Sequence, residues 1–463
     1  MRADLLTDAV EGLDEALAAV DGFDQVLVGG LLRPQPAQAV ALAGLADAVA
    51  GSPLAGRVAE AAEKTAAGAA DEGHLMALAA ARTALLGSVH DALVARVEDA
   101  VGRPRAEEPA AAASGVEHPV NLLVAARGWL CDLARAGWQG IDHELVGGAA
   151  PVVTALLSEP GLRRLAALLD GFAAELAASC PGATLERIPV RRWADLWSRA
   201  MLLTLPGADR AAAVAEATGR LLPLGVDVHE HATAVQAQVH AVFEPADGGT
   251  PRLVRAGVSA PKPDTVVGAG LWQLLRPHMS LLAAVSEGRA MELDAMPVTA
   301  EGDLIWDDAR AALGESAEPF TTARVALPTA AAAPVTPVDR HPTRIAVPVL
   351  LEGYAVEDEG ERVAFRVAGE RLAVDAGRVP AAGPLTAETV ASSAACIGLL
   401  RWDAGEFLVQ PLAVERTVRK KAVAVHAGAW AGGTADKAGV RAEKAATDAV
   451  TVLRERAGRL LRK

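Results

Sequence analysis

At about residue 224 the hydrophobic period of this chain changes from 3.6 residues to 2, and that switch limits the possible folds more than any motif does. Upstream, AQAVALAGLADAVAG and HLMALAAARTALLGSVHDALVARVEDAV repeat apolar residues at helical spacing. Downstream, VQAQVHAVF alternates Val235, Ala237, Val239, Ala241 and Phe243 against Gln236, Gln238 and His240, the pattern of a half-buried strand. Helices first and strands afterwards imply separate layers. The expected class is multidomain α+β: an N-terminal all-helical half, C-terminal antiparallel β-containing modules and a terminal amphipathic basic helix. A length of 463 residues suits about three domains.

Breaks in the pattern set the expected boundaries. Residues 1–102 read as a helical domain and GRPRAEEPAAAASGVEHP, 103–118, as a linker rich in proline and small residues. Residues 119–223 read as a second helical domain. The tetrad LVGG at 27–30 and again at 145–148 hints that the two helical blocks are a duplication. A mixed β/α module follows at 224–312, with EPADGGT as a hairpin turn and GLWQLLRPHMSLLAAV as a helix. The Pro/Ala-rich stretch 313–342 reads as an extended or disordered linker. Residues 343–425 read as a β-rich module with one helix, either a small α+β or an open-barrel unit. Turns fall at 358–360 and 369–370, a helix TAETVASSAACIGLL is capped by Thr386, and EFLVQPLAVER is a strand. Residues 426–463 form a basic helical tail.

Acidic residues at Asp4, Asp8, Glu11, Asp14 and Glu15 interrupt the first segment, which therefore reads as an amphipathic helix instead of a secretion signal. No run of 18 uncharged apolar residues predicts a membrane span. Cys131, Cys180 and Cys396 lack CxxC spacing and read as small hydrophobes of a reducing cytoplasm.

Chemical signatures are sparse. In DVHEH, a strand would project Asp227, His229 and His231 to one face, and a hairpin would bring His240 near, a plausible zinc set for a metal-dependent enzyme. The same residues also read as a solvated strand face, and the change of alternation phase suggests a bulge or break near 231–234 that would scramble the ligands. Asp142 in GIDHELVGG reads as a helix cap. No HExxH, GxxxxGK[ST], GxGxxG after a strand or GxSxG is present, so the sequence favours a non-enzymatic role with no cofactor.

Charge separates more sharply. From Val414 to Lys463 there are 12 basic and 5 acidic side chains, whereas the whole chain carries a net −14. Arg416, Arg419, Lys420 and Lys421 form one basic group; Arg454, Arg456, Arg459, Arg462 and Lys463 form a second. Both suit docking to an acidic protein. A nucleic-acid role is the weaker alternative, because the body is acidic and Trp430 is the only aromatic residue near the basic groups. In RRWADLW, Trp193 and Trp197 share one helical face in a chain with only 3% aromatic residues, and read as core anchors first and as a partner-binding hot spot second.

The helical start around LVGG, the segment LLVAARGWLCDLARAGWQGIDHELVGG, the helix RRWADLWSRAMLL and the later β modules resemble actinobacterial accessory proteins associated with SWIM zinc-finger, MoxR-type AAA+ ATPase and von Willebrand A-domain systems. The chain lacks the ATPase phosphate loop, the zinc-finger CxC with CxH, and the DxSxS motif of those partners. The resemblance implies an accessory subunit beside a MoxR-type ATPase or a von Willebrand A-domain protein. The expected function is therefore a cytoplasmic adaptor that docks through its basic C-terminal helix and does not bind membranes.

Overall fold

The computed structural model describes residues 1–103, 119–205, 215–231, 233–358, 360, 362–433 and 437–460. The expected linker at 103–118 lies almost wholly outside them. The N-terminal half is helical: α1 Asp4–Thr7, α2 Leu13–Gly29, α3 Pro36–Ala48, α4 Ala55–Ala66, α5 Glu72–Val101, α6 Val120–Ala136, α7 His143–Gly147, α8 Ala149–Leu157, α9 Arg163–Ala178 and α10 Val190–Leu203. The first segment is thus two helices, separated at Gly12, whose φ of 76° suits glycine. Buried residues from Val20 to Leu203 form one core, so the two expected helical domains are a single packed unit. The LVGG tetrads are not equivalent, because the first ends α2 and the second joins α7 to α8. Gly30 instead abuts Gly137 at the end of α6, where a Cβ on Gly137 would lie 2.2 Å from the Gly30 nitrogen.

A different repeat occupies the C-terminal half. Strand β1 (Ala215–Glu230) begins nine residues before the expected boundary; the strand Pro223 and the bulge between Pro223 and Gly225 mask its period. It pairs antiparallel with β2 (Ala234–Pro245), which pairs with β3 (Arg252–Pro261). The helices α11 (Gly270–Leu274) and α12 (Met279–Glu287) follow, split at Pro277 where one helix was expected. Next come β4 (Arg289–Val298), β5 (Asp303–Leu304) and β6 (Ala311–Ser316). β5 runs parallel to β3 and antiparallel to β4, and β4 returns to β1, closing the ring β1-β2-β3-β5-β4; β6 is added along β4. This is a five-stranded Greek-key barrel with helices between its third and fourth strands.

The second barrel repeats that plan. Strands β7 (Val347–Glu352) and β8 (Ala355–Asp358) act as one strand bent at Gly353, whose φ is 69°. β8 pairs with β9 (Val363–Val367), which pairs with β10 (Glu370–Val374). Helix α14 (Ala387–Ala391) follows α13, described below, and precedes β11 (Ala395–Asp403) and β12 (Glu406–Val418). β12 runs parallel to β10 and antiparallel to β11, and β11 returns to β7. β13 (Lys421–His426) is added along β12. Thr386 caps α14 as expected, but the helix stops at Ala391 and ACIGLL is strand. Every residue from Ala395 to Trp402 in that strand is buried, so no alternation marked it; a continuous apolar run fits a covered strand as well as a helix.

The expected linker at 313–342 is ordered and packed. Helix α13 (Pro319–Val325) buries Phe320 and Ala323 against Leu222, Leu224 and Val242 of the first barrel and Ala395, Ile397 and Ala413 of the second. Its prolines mark starts of structure: Pro319, Pro328, Pro337 and Pro342 stand in the first turns of short helices. Helix α5, about 45 Å long at 1.5 Å per residue, joins the two halves: Leu75, Leu78 and Leu86 enter the helical core, and Val89, Leu93 and Val97 enter the barrel core. The expected terminal helix is present as α15, Lys437–Leu460.

Candidate functional site

The hairpin β1–β2 brings His240 beside the DVHEH stretch, pairing Asp227 with Gln238 and Gly225 with His240. Of the bulge or break expected near 231–234, the break is present: β1 ends at Glu230 and β2 begins at Ala234. The polar face of this hairpin is sealed against the second barrel. Asp227 is 2% exposed and accepts hydrogen bonds from Arg401 Nη2 on β11 and Gln410 Nε2 on β12, both at 2.8 Å. Arg401 Nε donates to Gln410 Oε1, and His229 Nε2 stands 3.1 Å from the Asp227 carboxylate. Burial alone would raise the Asp227 carboxyl, but hydrogen bonds from His229 and Gln410 and the Arg401 charge outweigh it and hold it at about 2. Gly225 permits the approach, since a Cβ there would come within 2.7 Å of Leu412 Cβ on β12.

This geometry corrects the metal reading, and it corrects the solvated-face reading at Asp227 alone, since His229 is half-exposed and Glu230 and His231 are exposed. Asp227 is neither solvated nor free to hold a metal, because an arginine and an amide saturate it. His231 stays exposed at the turn, and His240, 2% exposed, leaves Nε2 buried without a hydrogen-bond partner. Burial drives His240 down to about 3. Among the described residues no group of three His, Cys, Asp or Glu stands in metal-holding geometry. The network's chemistry is that of a polar pin between barrels.

Trp193 and Trp197 are core residues, at 1% and 0% exposure, which removes the hot-spot reading. Trp193 meets Trp138 edge-on at 5.7 Å, and Trp197 Nε1 donates to the Leu130 carbonyl at 2.9 Å. Asp142 caps α7 by accepting from the Leu145 amide.

The first basic group lies on the β12–β13 hairpin and not in a helix. Arg419 and Lys420, with φ of 50° and 66°, make the turn. Arg419, Lys420 and Lys421 are exposed, and Arg416 is half-buried. In the second group, Arg456 and Arg459 are exposed on α15; the Arg454 side chain, Arg462 and Lys463 lie outside the described residues. The tail also begins later than expected, because Ala427, Trp430 and Ala431 belong to the barrel core.

Sequence reasoning missed the junction between the helical unit and the second barrel. The segment after α13 runs back across α5, α9 and α10, where Asp339 receives Arg164 Nη2 at 2.6 Å, Arg199 Nη2 at 3.0 Å and Arg344 Nη1 at 2.7 Å. Arg340 reaches Asp91 on α5 at 2.8 Å. The only sequence sign was the local charge density of VDRHPTR. Beside this clasp opens a cleft of about 640 Å³ between α2, α5, α10, residues 341–343 and the β11–β12 turn. At its floor Arg82, 2% exposed, grips Asp24 through two bonds of 2.6 and 3.0 Å and donates to Ser198 Oγ at 3.1 Å. Burial pushes Asp24 up to about 6, yet Arg82 is itself held above its ordinary value by that carboxylate, so the pair is ionic at neutral pH. Comparison with protein-family models, curated proteins and solved structures gives no match to this chain.

Proposed function

We propose that this protein is a non-catalytic, cytoplasmic accessory subunit that presents α15 to an acidic groove on a protein partner, within a system built around a MoxR-type ATPase or a von Willebrand A-domain protein. The observation that carries this reading is how α15 is held. Its first half is tied to the body through Gln273, whose Nε2 donates to the Glu443 carbonyl and to Thr447 Oγ1 at 3.2 Å, and through Ala442. Among the described side chains beyond Val452, Glu455, Arg456 and Arg459 make no hydrogen bond or ion pair to the body. Val452 is 46% exposed, one and two turns before the exposed Arg456 and Arg459 on the same helix face. An exposed apolar residue beside arginines suits helix-in-groove recognition with an acidic rim. The partner system comes from the sequence resemblance alone. Among the described residues no helix is long and apolar enough to cross a membrane.

The deletion that tests this must start after Gly433, because a cut at 414 would sever β12 and remove Trp430 from the core. A chain ending at Gly433 is expected to lose only the helical circular dichroism of α15 and to melt cooperatively, but to lose capture of a defined partner from nuclease-treated lysate of its native cell. Undiminished capture by that chain would overturn the reading.

A further inference from the structure

The cleft between the helical unit and the second barrel carries an inference independent of the adaptor reading. We infer that it binds a free organic cation of metabolite size, whose ammonium or guanidinium group pairs with Asp195 while its carbon skeleton lies against Trp402. Size comes first. About 640 Å³ falls within the range of small-molecule sites and is too small for a helix. The walls suit a carbon skeleton, since Leu17, Val20, Leu86 and Trp402 line them.

Charge then selects the sign of the ligand. Arg82, Arg191 and Arg192 all border the cleft, and each already grips a carboxylate with more than one bond: Asp24, Asp21 and Glu175 respectively. An anion would have to displace one of these internal partners. Asp14 and Asp195, in contrast, line the cleft and accept no hydrogen bond from any described residue. Three cationic or imidazole nitrogens surround Asp195 but stay too far for hydrogen bonds: Arg82 Nη1 at 3.7 Å, Arg199 Nη1 at 3.9 Å and His341 Nε2 at 3.7 Å. His341 does not add a charge, because Thr343 donates to its Nδ1 and burial drives it down to about 4. A ligand N–H at hydrogen-bond distance would complete the Asp195 carboxylate, and Trp402 lines the same cleft.

Isothermal titration of the full chain at physiological salt tests this, with putrescine, spermidine, agmatine, arginine and choline as probes and magnesium chloride and glutamate as controls. At least one organic cation is expected to bind saturably at one site. Asp195→Asn is expected to weaken it tenfold or more, measured on variant protein whose circular dichroism matches the wild type, since the change also removes a charge facing Arg82 and Arg199. Ala18→Trp, at an exposed wall position, is expected to block binding. No saturable binding by any probe, equal binding by Asp195→Asn, or equal competition by magnesium would each overturn the assignment.

Discussion

His240 makes the seam between the two barrels acid-sensitive by an amount that can be worked out. Its side chain is 2% exposed and its Nε2 has no hydrogen-bond partner. Desolvation is the main reason its value falls from the ordinary 6.5 to about 3; Asp227 opposes that fall, and Arg255, Arg401 and His229 add to it. A histidine with a lowered folded value binds its proton more readily in the unfolded chain, so stability is lost as pH falls below about 6.5 and the loss is complete only below about pH 3. The corresponding loss is about 2 kcal/mol by pH 5 and about 4 kcal/mol by pH 3. His341 and His426, whose values burial also lowers, titrate in the same window, so the comparison must be with a variant. Urea unfolding followed by tryptophan fluorescence at pH 7.5 and pH 5 should show that the wild type loses about 2 kcal/mol more than His240→Leu. An equal loss in both proteins would refute a neutral, sealed histidine.

Three further outcomes follow from the same contacts. Removing one partner of the polar pin, as in Asp227→Ala, leaves Arg401 uncompensated and should cost about 3–5 kcal/mol in urea unfolding, whereas Asp227→Ala combined with Arg401→Met should recover much of that loss; no recovery in the double variant would contradict a direct pairing. Trp197→Ala should destabilise by about 3–5 kcal/mol, and a melting temperature within a degree of wild type would show the ring is not a core anchor. Asp339→Ala unclasps Arg164, Arg199 and Arg344 and should speed hydrogen exchange across residues 336–344 while α3 and α4 stay protected; unchanged exchange would assign the clasp to packing alone.

The layers of this molecule could be read from local signals, whereas their joints could not. Alternation in VQAQVHAVF, the turn at 369–370 and the Thr386 cap each follow from a few neighbouring residues, and each recurs in the fold; the turn expected at 358–360 lies partly outside the described residues. The ring closures β4–β1 and β11–β7 link distant segments, and nothing in either segment names its partner. DVHEH shows the same limit: polar alternation marks the outer face of a barrel but says nothing about a second barrel covering it. Proline misled at 313–342, where four prolines start short helices. For the cleft, Asp24, Arg82, Asp195 and His341 lie on four separate segments, so no spacing could reveal it.

The most direct test of the adaptor reading is a photo-crosslinking amino acid placed at Val452 near the end of α15, with Val40 on α3, which is more exposed, as the control. Irradiation in the native cell is expected to join Val452, and not Val40, to one defined protein bearing an acidic groove, and Arg456→Glu with Arg459→Glu should abolish that product. Crosslinks of equal yield from both positions, or a Val452 product that survives both charge reversals, would contradict docking through this helix.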